Sequence, residues 1–126
     1  MNLNQVTAPT KNLKKAIDFY QKLGLKLIVH SNDYYARFEC PEGHSTFSLH
    51  VAEELPKGNG IVIYFEHENL DRYVETLINK GILFDTLPTD QRWLWREARL
   101  KDPDGNQLIL YHAGENRKNP PWRLKQ

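Results

Sequence analysis

Asn12-Leu13-Lys14-Lys15-Ala16-Ile17-Asp18 and Asn69-Leu70-Asp71-Arg72-Tyr73-Val74-Glu75 read as two copies of one pattern. Asn69 follows Asn12 by 57 positions (69 less 12), and the same offset carries Gly24 onto Gly81 without a gap. Extended backward, it sets Gln5 on Val62 and Val6 on Ile63. Identities are few, but residue character agrees at most helix positions. A self-similar chain implies two copies of one supersecondary unit.

Each copy reads as a strand followed by a helix. In the first helix Leu13, Ala16, Ile17, Tyr20 and Leu23 share a face, and in the second Leu70, Tyr73, Val74, Leu77 and Ile78 do. Asn12 and Asn69 stand where N-caps are expected, and Gly24 and Gly81 where a left-handed residue ends a helix. Neither asparagine begins a capping box. Strand-like runs follow: Leu25 to Val29, Tyr34 to Cys40 and Ser45 to Ala52 in the first half, then Ile82 to Leu87, Trp93 to Leu100 and Gln107 to His112. Turns separate them at Ser31-Asn32-Asp33, Pro41-Glu42-Gly43 and Asp102-Pro103-Asp104-Gly105-Asn106, the last closing a hairpin. The expected fold is α+β: two βαβββ modules forming a curved mixed sheet around a central cavity. The expected organisation is one domain over residues 1–126, with module 1 at about 1–55, module 2 at about 58–113 and a tail over 114–126. Glu53 to Gly60 reads as the linker, and Pro120-Pro121 argues against regular structure in the tail.

The 126 residues are 40% hydrophobic and 26% charged with a net charge of +1, a balance with no basic stripe for nucleic acid. No apolar run approaches the roughly 20 residues that span a bilayer. Residues Met1 to Gln5 have neither a basic nor an apolar signal-peptide region. Cys40 is the single cysteine, so no internal disulfide forms. A cytoplasmic, reducing compartment is expected. Cys40 reads as a strand residue, with no activating partner evident for a nucleophile.

Strand alternation sorts the remaining side chains. Phe47, Leu49 and Val51 oppose Thr46, Ser48 and His50. Ile61, Ile63 and Phe65 oppose Val62, Tyr64 and Glu66. Leu108 and Leu110 oppose Gln107, Ile109 and Tyr111. The aliphatic faces are expected under the helices and the mixed faces around a ligand. That places Gln5, Ser48, His50, Tyr64, Glu66 and Tyr111 in the cavity, with Trp93, Trp95, Glu97 and Arg99 from a third strand.

Asn12-Leu13 through Asp18-Phe19-Tyr20 to Leu23-Gly24, with Asp102-Pro103-Asp104-Gly105-Asn106, resembles the vicinal oxygen chelate superfamily of glyoxalases, bleomycin resistance proteins and dioxygenases. The repeat covers roughly residues 2 to 113. The resemblance implies a small-molecule ligand and a homodimer, and in the glyoxalase branch a divalent metal held by His or Gln, Glu, His and Glu. Carried over, those positions fall on Gln5, near Ser48, on Val62 and on Ile109. Two are aliphatic, so the standard glyoxalase I and extradiol dioxygenase ligand sets are absent.

Three readings of His50 and Glu66 stay open. With Gln5 or Tyr111 they would make a displaced site for Zn, Mn, Fe or Ni. Without metal they would be a catalytic acid–base pair. They would otherwise be structural or ligand-contacting groups. Gln5, Tyr64, Trp93, Trp95, Arg99 and Tyr111 are the expected substrate-binding residues. Trp93 and Trp95 on one strand face would form either a core or dimer contact or a platform for a flat or cationic ligand. Arg37, Arg96 or Arg99 would clamp a carboxylate or phosphate if turned inward. By alternation Arg96 lies on the helix side, where it would pair with an acid. Two functions result: a metal-dependent lyase, isomerase or dioxygenase relative, or a metal-free binding or drug-sequestering protein.

Overall fold

The first helix and the strands around it form as the apolar spacing dictates. The computed structural model describes residues 1–125. In the first half β1 (Gln5–Thr10) leads to α1 (Leu13–Leu23), then β2 (Lys26–Ser31), β3 (Tyr35–Glu39) and β4 (Thr46–Val51). The second half repeats this order with β5 (Val62–Glu66), α2 (Leu70–Asn79), β6 (Thr86–Asp90), β7 (Arg96–Lys101) and β8 (Gln107–His112). A 3-10 turn follows at Gly114–Arg117. One sheet has the order β1-β4-β3-β2 and the other β5-β8-β7-β6. In each the first strand pairs parallel with the last, and the other pairs are antiparallel. The two sheets therefore have the same topology, as two copies of a βαβββ module require.

The chain divides into two compact units. The first is Met1–Gly60 with Asp102–Asn106, and the second is Ile61–Lys101 with the stretch from Gln107 onward.

In the first unit α1 buries Leu13, Ala16, Ile17, Tyr20 and Leu23. They meet the sheet face carrying Ala36, Phe38, Phe47 and Leu49, all buried. The Tyr20 ring lies 4.4 Å from Phe47 and 6.0 Å from Phe38. Each such side chain, fully buried, contributes about 1.5–3 kcal/mol of transfer free energy. Asn12 is extended and its side chain accepts from Lys15 N–H, closing the helix start. Gly24 (φ 114°) and Gly81 (φ 92°) hold left-handed conformations that a Cβ disfavours, and each turns the chain out of its helix.

In the second unit Leu70, Val74 and Leu77 of α2 are buried, as are Ile63, Ala98, Leu100, Leu108 and Leu110 of the sheet. Four local expectations need correction here. Asn69 makes no side-chain cap; it is not extended (φ −110°, ψ 63°), and its N–H instead donates to His67 Nδ1. The strand expected over Ile82 to Leu87 is displaced to Thr86–Asp90, because Ile82 N–H is spent on the Leu77 carbonyl at the helix end. The strand expected from Trp93 begins only at Arg96. Gln91 N–H bonds the Trp95 carbonyl, Leu94 N–H bonds the Gln91 carbonyl, and Leu94 has φ 67°. Trp93 and Trp95 thus belong to a tight turn and do not share a strand face. The tail opens with a 3-10 turn rather than irregular chain, held by Glu66.

Candidate functional site

Alternation places each candidate side chain, and neighbours then fix its employment. Across the first sheet, Gln5 is in register with Thr46, while Arg37 is in register with Ser48 and Tyr35 with His50. These residues lie on the sheet face away from α1, since Phe47, Leu49, Phe38 and Ala36 occupy the other. Ser48 is fully buried and holds a polar chain together. Gln5 Nε2 donates to Ser48 Oγ at 2.8 Å, and Gln5 Oε1 accepts from Thr46 Oγ1. Ser48 Oγ lies 2.7 Å from Tyr35 Oη, which also accepts from Arg37 Nε at 2.8 Å. Burial by itself would raise the Tyr35 phenol. Hydrogen bonds from Ser48, Arg37 and Gln5, with the Arg37 charge, outweigh it and hold the phenol below its usual value. His50 is exposed at its strand end.

The second unit carries an aromatic group on the face away from α2. Trp95 stacks on Tyr111 with ring centroids 4.6 Å apart and planes 18° from parallel. Tyr64 stands edge-on to both, at 5.9 Å from Trp95 and 5.6 Å from Tyr111. Tyr64 is 47% exposed, so one flank of the group is open. Trp95 Nε1 donates to the Asn116 carbonyl at 3.4 Å. Beside Tyr111 in register lies Glu97, a carboxylate only 2% exposed. It accepts from Trp93 Nε1 at 2.7 Å and from Arg99 Nη2 at 3.4 Å. A charge this deep needs such partners. Burial first, then the Glu66 charge, pushes the Tyr111 phenol up, so it remains a neutral donor.

Glu66 is employed locally. Its Oε2 accepts from Ala113 N–H at 2.8 Å and Gly114 N–H at 2.9 Å, with Arg117 Nε and His112 Nδ1 each 3.9 Å from a carboxylate oxygen. Arg96 is bidentate to Asp71 of α2, at 2.8 and 2.9 Å, and reaches Asp90 at 3.0 Å, matching the helix-side ion pair that alternation implies. A depression of about 220 Å³ lies here, floored by Val74, Ile78, Leu87 and Pro88 and edged by Asp71 and Arg96. Asp71 and Arg96 are already paired with each other there, and Glu75 also lines the depression.

The donor set does not fit a divalent metal of the superfamily's kind. Val62 and Ile109 offer no ligand atom, and Glu66 is committed to two N–H groups. Among the described residues no three His, Cys, Asp or Glu side chains are grouped to hold an ion. Cys40 is half-buried, and burial pushes its thiol up, away from nucleophilic thiolate.

The aromatic group thus gathers Tyr64, Trp95 and Tyr111, while Trp93 and Arg99 converge on Glu97, and Gln5 joins a separate polar chain in the first unit. Sequence reasoning missed Tyr35. Sorting Tyr34 to Cys40 by face would have put Tyr35 beside Arg37, but no spacing signals that their side chains touch.

Residues 2–110 match the model of the Glyoxalase/Bleomycin resistance protein/Dioxygenase superfamily. The chain belongs to that superfamily. No curated protein sequence is significantly similar. Among solved structures, a glyoxalase/bleomycin resistance protein/dioxygenase from Nocardioides is 22% identical with a TM-score of 0.79, over 99% of this chain and 90% of that one. A member from Sphaerobacter thermophilus is 24% identical with a TM-score of 0.72, over 89% and 97%. Lactoylglutathione lyase from Agrobacterium tumefaciens is 16% identical with a TM-score of 0.71, over 88% and 92%. These likenesses establish the shared fold. No helix among the described residues is long and apolar enough to cross a membrane.

Proposed function

We propose that this protein binds a small, flat organic molecule on the Tyr64, Trp95 and Tyr111 group, without a divalent metal. The supporting observation is the half-open aromatic stack: Trp95 lies nearly parallel to Tyr111, and Tyr64 leaves one flank exposed. Aromatic faces hold a flat or cationic guest by stacking and by attraction to the ring quadrupole. Arg99, half-exposed and tethered to Glu97, supplies an orienting charge at the same face. This is the metal-free, sequestering alternative within the superfamily. A cytoplasmic homodimer is the setting we infer, from the lone cysteine and from the habit of the superfamily.

Titration with planar organic probes, among them bleomycin and a planar aromatic cation, tests the reading through tryptophan fluorescence. Saturable quenching is expected, with affinity reduced tenfold or more by Trp95→Ala. Metal analysis of protein purified without added metal should find well under one equivalent. A retained equivalent lost on His50→Ala, with no quenching by any probe, would replace binding with the metal-dependent chemistry of His50, Glu66 and Gln5.

A further inference from the structure

Arg37 and Tyr35 end the polar chain of the first sheet with donors that have no acceptor. The direction of the chain follows from its start. Gln5 Oε1 accepts from Thr46, so Gln5 Nε2 is the donor to Ser48 Oγ. Ser48 is fully buried, and its hydroxyl proton must reach an acceptor. The remaining neighbour is Tyr35 Oη at 2.7 Å, so Ser48 donates to Tyr35. Arg37 Nε donates to the same oxygen at 2.8 Å. Tyr35 Oη therefore accepts from Ser48 and Arg37, with Gln5 also in hydrogen-bonding reach, and its own proton points elsewhere. Nε being occupied, the two terminal nitrogens of Arg37 are left, and they make no hydrogen bond or ion pair among the described residues. The Arg37 guanidinium carbon lies 5.4 Å from the Tyr35 ring centroid, which helps hold its orientation.

We propose that Arg37 and Tyr35 form a binding corner for a carboxylate, the terminal guanidinium N–H pair gripping both oxygens and the Tyr35 hydroxyl adding a third bond. A planar guanidinium end matches a carboxylate two-for-two. Ser48, Gln5 and Thr46 position the corner without touching the guest. Nearby acid does not fill it: Glu39, two residues along β3, faces Lys26 at 3.7 Å. The corner is independent of the aromatic group and stands if that group binds nothing.

Isothermal titration calorimetry of the full chain with sodium benzoate, and separately with inorganic phosphate at the same ionic strength, tests it. Saturable benzoate binding is expected, weakened tenfold or more by Arg37→Met and at least threefold by Tyr35→Phe. Arg37→Lys should also bind more weakly than wild type, since it keeps the charge but loses the fork. If Arg37→Met does not fold, Tyr35→Phe and the NMR shift of ring-labelled Tyr35 on adding benzoate carry the test. Benzoate affinity unchanged in the variants, an unmoved Tyr35 signal, or phosphate bound more tightly than benzoate would each overturn the assignment.

Discussion

Tyr20 Oη donates to Asp102 Oδ2 at 2.6 Å across 82 positions of sequence, and both side chains are buried. The bond joins the middle of α1 to the Asp102–Asn106 turn within the first unit. Asp102 spends its other lone pairs on the turn itself, accepting from Asp104 N–H, Asn106 N–H and Asn106 Nδ2 at 2.8–2.9 Å. Asn106 Nδ2 also reaches the Pro9 carbonyl at 3.1 Å, and Lys11 N–H bonds Asp104 Oδ1 at 2.8 Å. One carboxylate thus closes the turn and fastens it to the helix.

Removing the hydroxyl should be felt as a lost charge-assisted bond. Tyr20→Phe is expected to lower unfolding free energy by about 1–3 kcal/mol, read by urea denaturation. Asp102→Ala should cost more, since it strips four donors of their acceptor. The double variant should be less destabilised than the sum, with a coupling of at least about 0.5 kcal/mol. Strict additivity would show that the two groups do not act together.

The same pair predicts an alkaline limit. Burial, then the charge and hydrogen bond of Asp102, holds the Tyr20 phenol protonated far above the usual tyrosine range. In the unfolded chain it ionises near pH 10. Above that pH the unfolded state has fewer protons than the native state, so stability falls as pH rises, by about 1.4 kcal/mol per pH unit from this group. Below it the contribution is fully present. Tyr20→Phe should flatten that part of the stability–pH curve, measured from pH 9 to 11.5.

Glu66 serves the chain that follows β8. Glu66→Ala leaves the Ala113 and Gly114 N–H groups without their acceptor, and a loss of about 1 kcal/mol is expected. Hydrogen exchange at those two amides should quicken more than at the core of β8. Equal protection in both proteins would show that the 3-10 turn holds without the carboxylate.

Arg96 sets the titration of Asp71. Its hydrogen bond, and secondarily its charge, keeps the Asp71 carboxyl below the usual carboxylate value despite opposing desolvation. A depressed carboxyl stabilises the native state above the unfolded pKa near 3.9, and the benefit fades as pH falls through the native value. Arg96→Met should return the Asp71 titration, followed by NMR, to the ordinary carboxylate range.

Much of this was visible along the chain because it is local or periodic. The α1 face follows from spacing alone, and the residues read as buried there are those that the structure buries; on α2 Leu70, Val74 and Leu77 are buried, whereas Ile78, read on the same face, is exposed. Arg96 on the helix side followed from parity. The Trp93 to Leu100 strand failed because aromatic residues suit a strand and a tight turn's edge alike, and no glycine marks the turn: Leu94 itself takes the left-handed backbone. Asn69 failed because capping depends on backbone angles, which residue type only biases.

The repeat of Asn12 to Gly24 in Asn69 to Gly81, with two-residue alternation in the strands, was enough to determine the βαβββ topology, since a buried face must recur with its element's period. Side-chain partners were a different matter. Tyr20 meeting Asp102, Tyr35 meeting Ser48 and Arg37, and Trp95 stacking on Tyr111 depend on where strands distant in sequence come to rest. Hydrogen bonds and ring contacts act over a few ångströms in space, and sequence separation carries no such distance. Only the tertiary structure decided them.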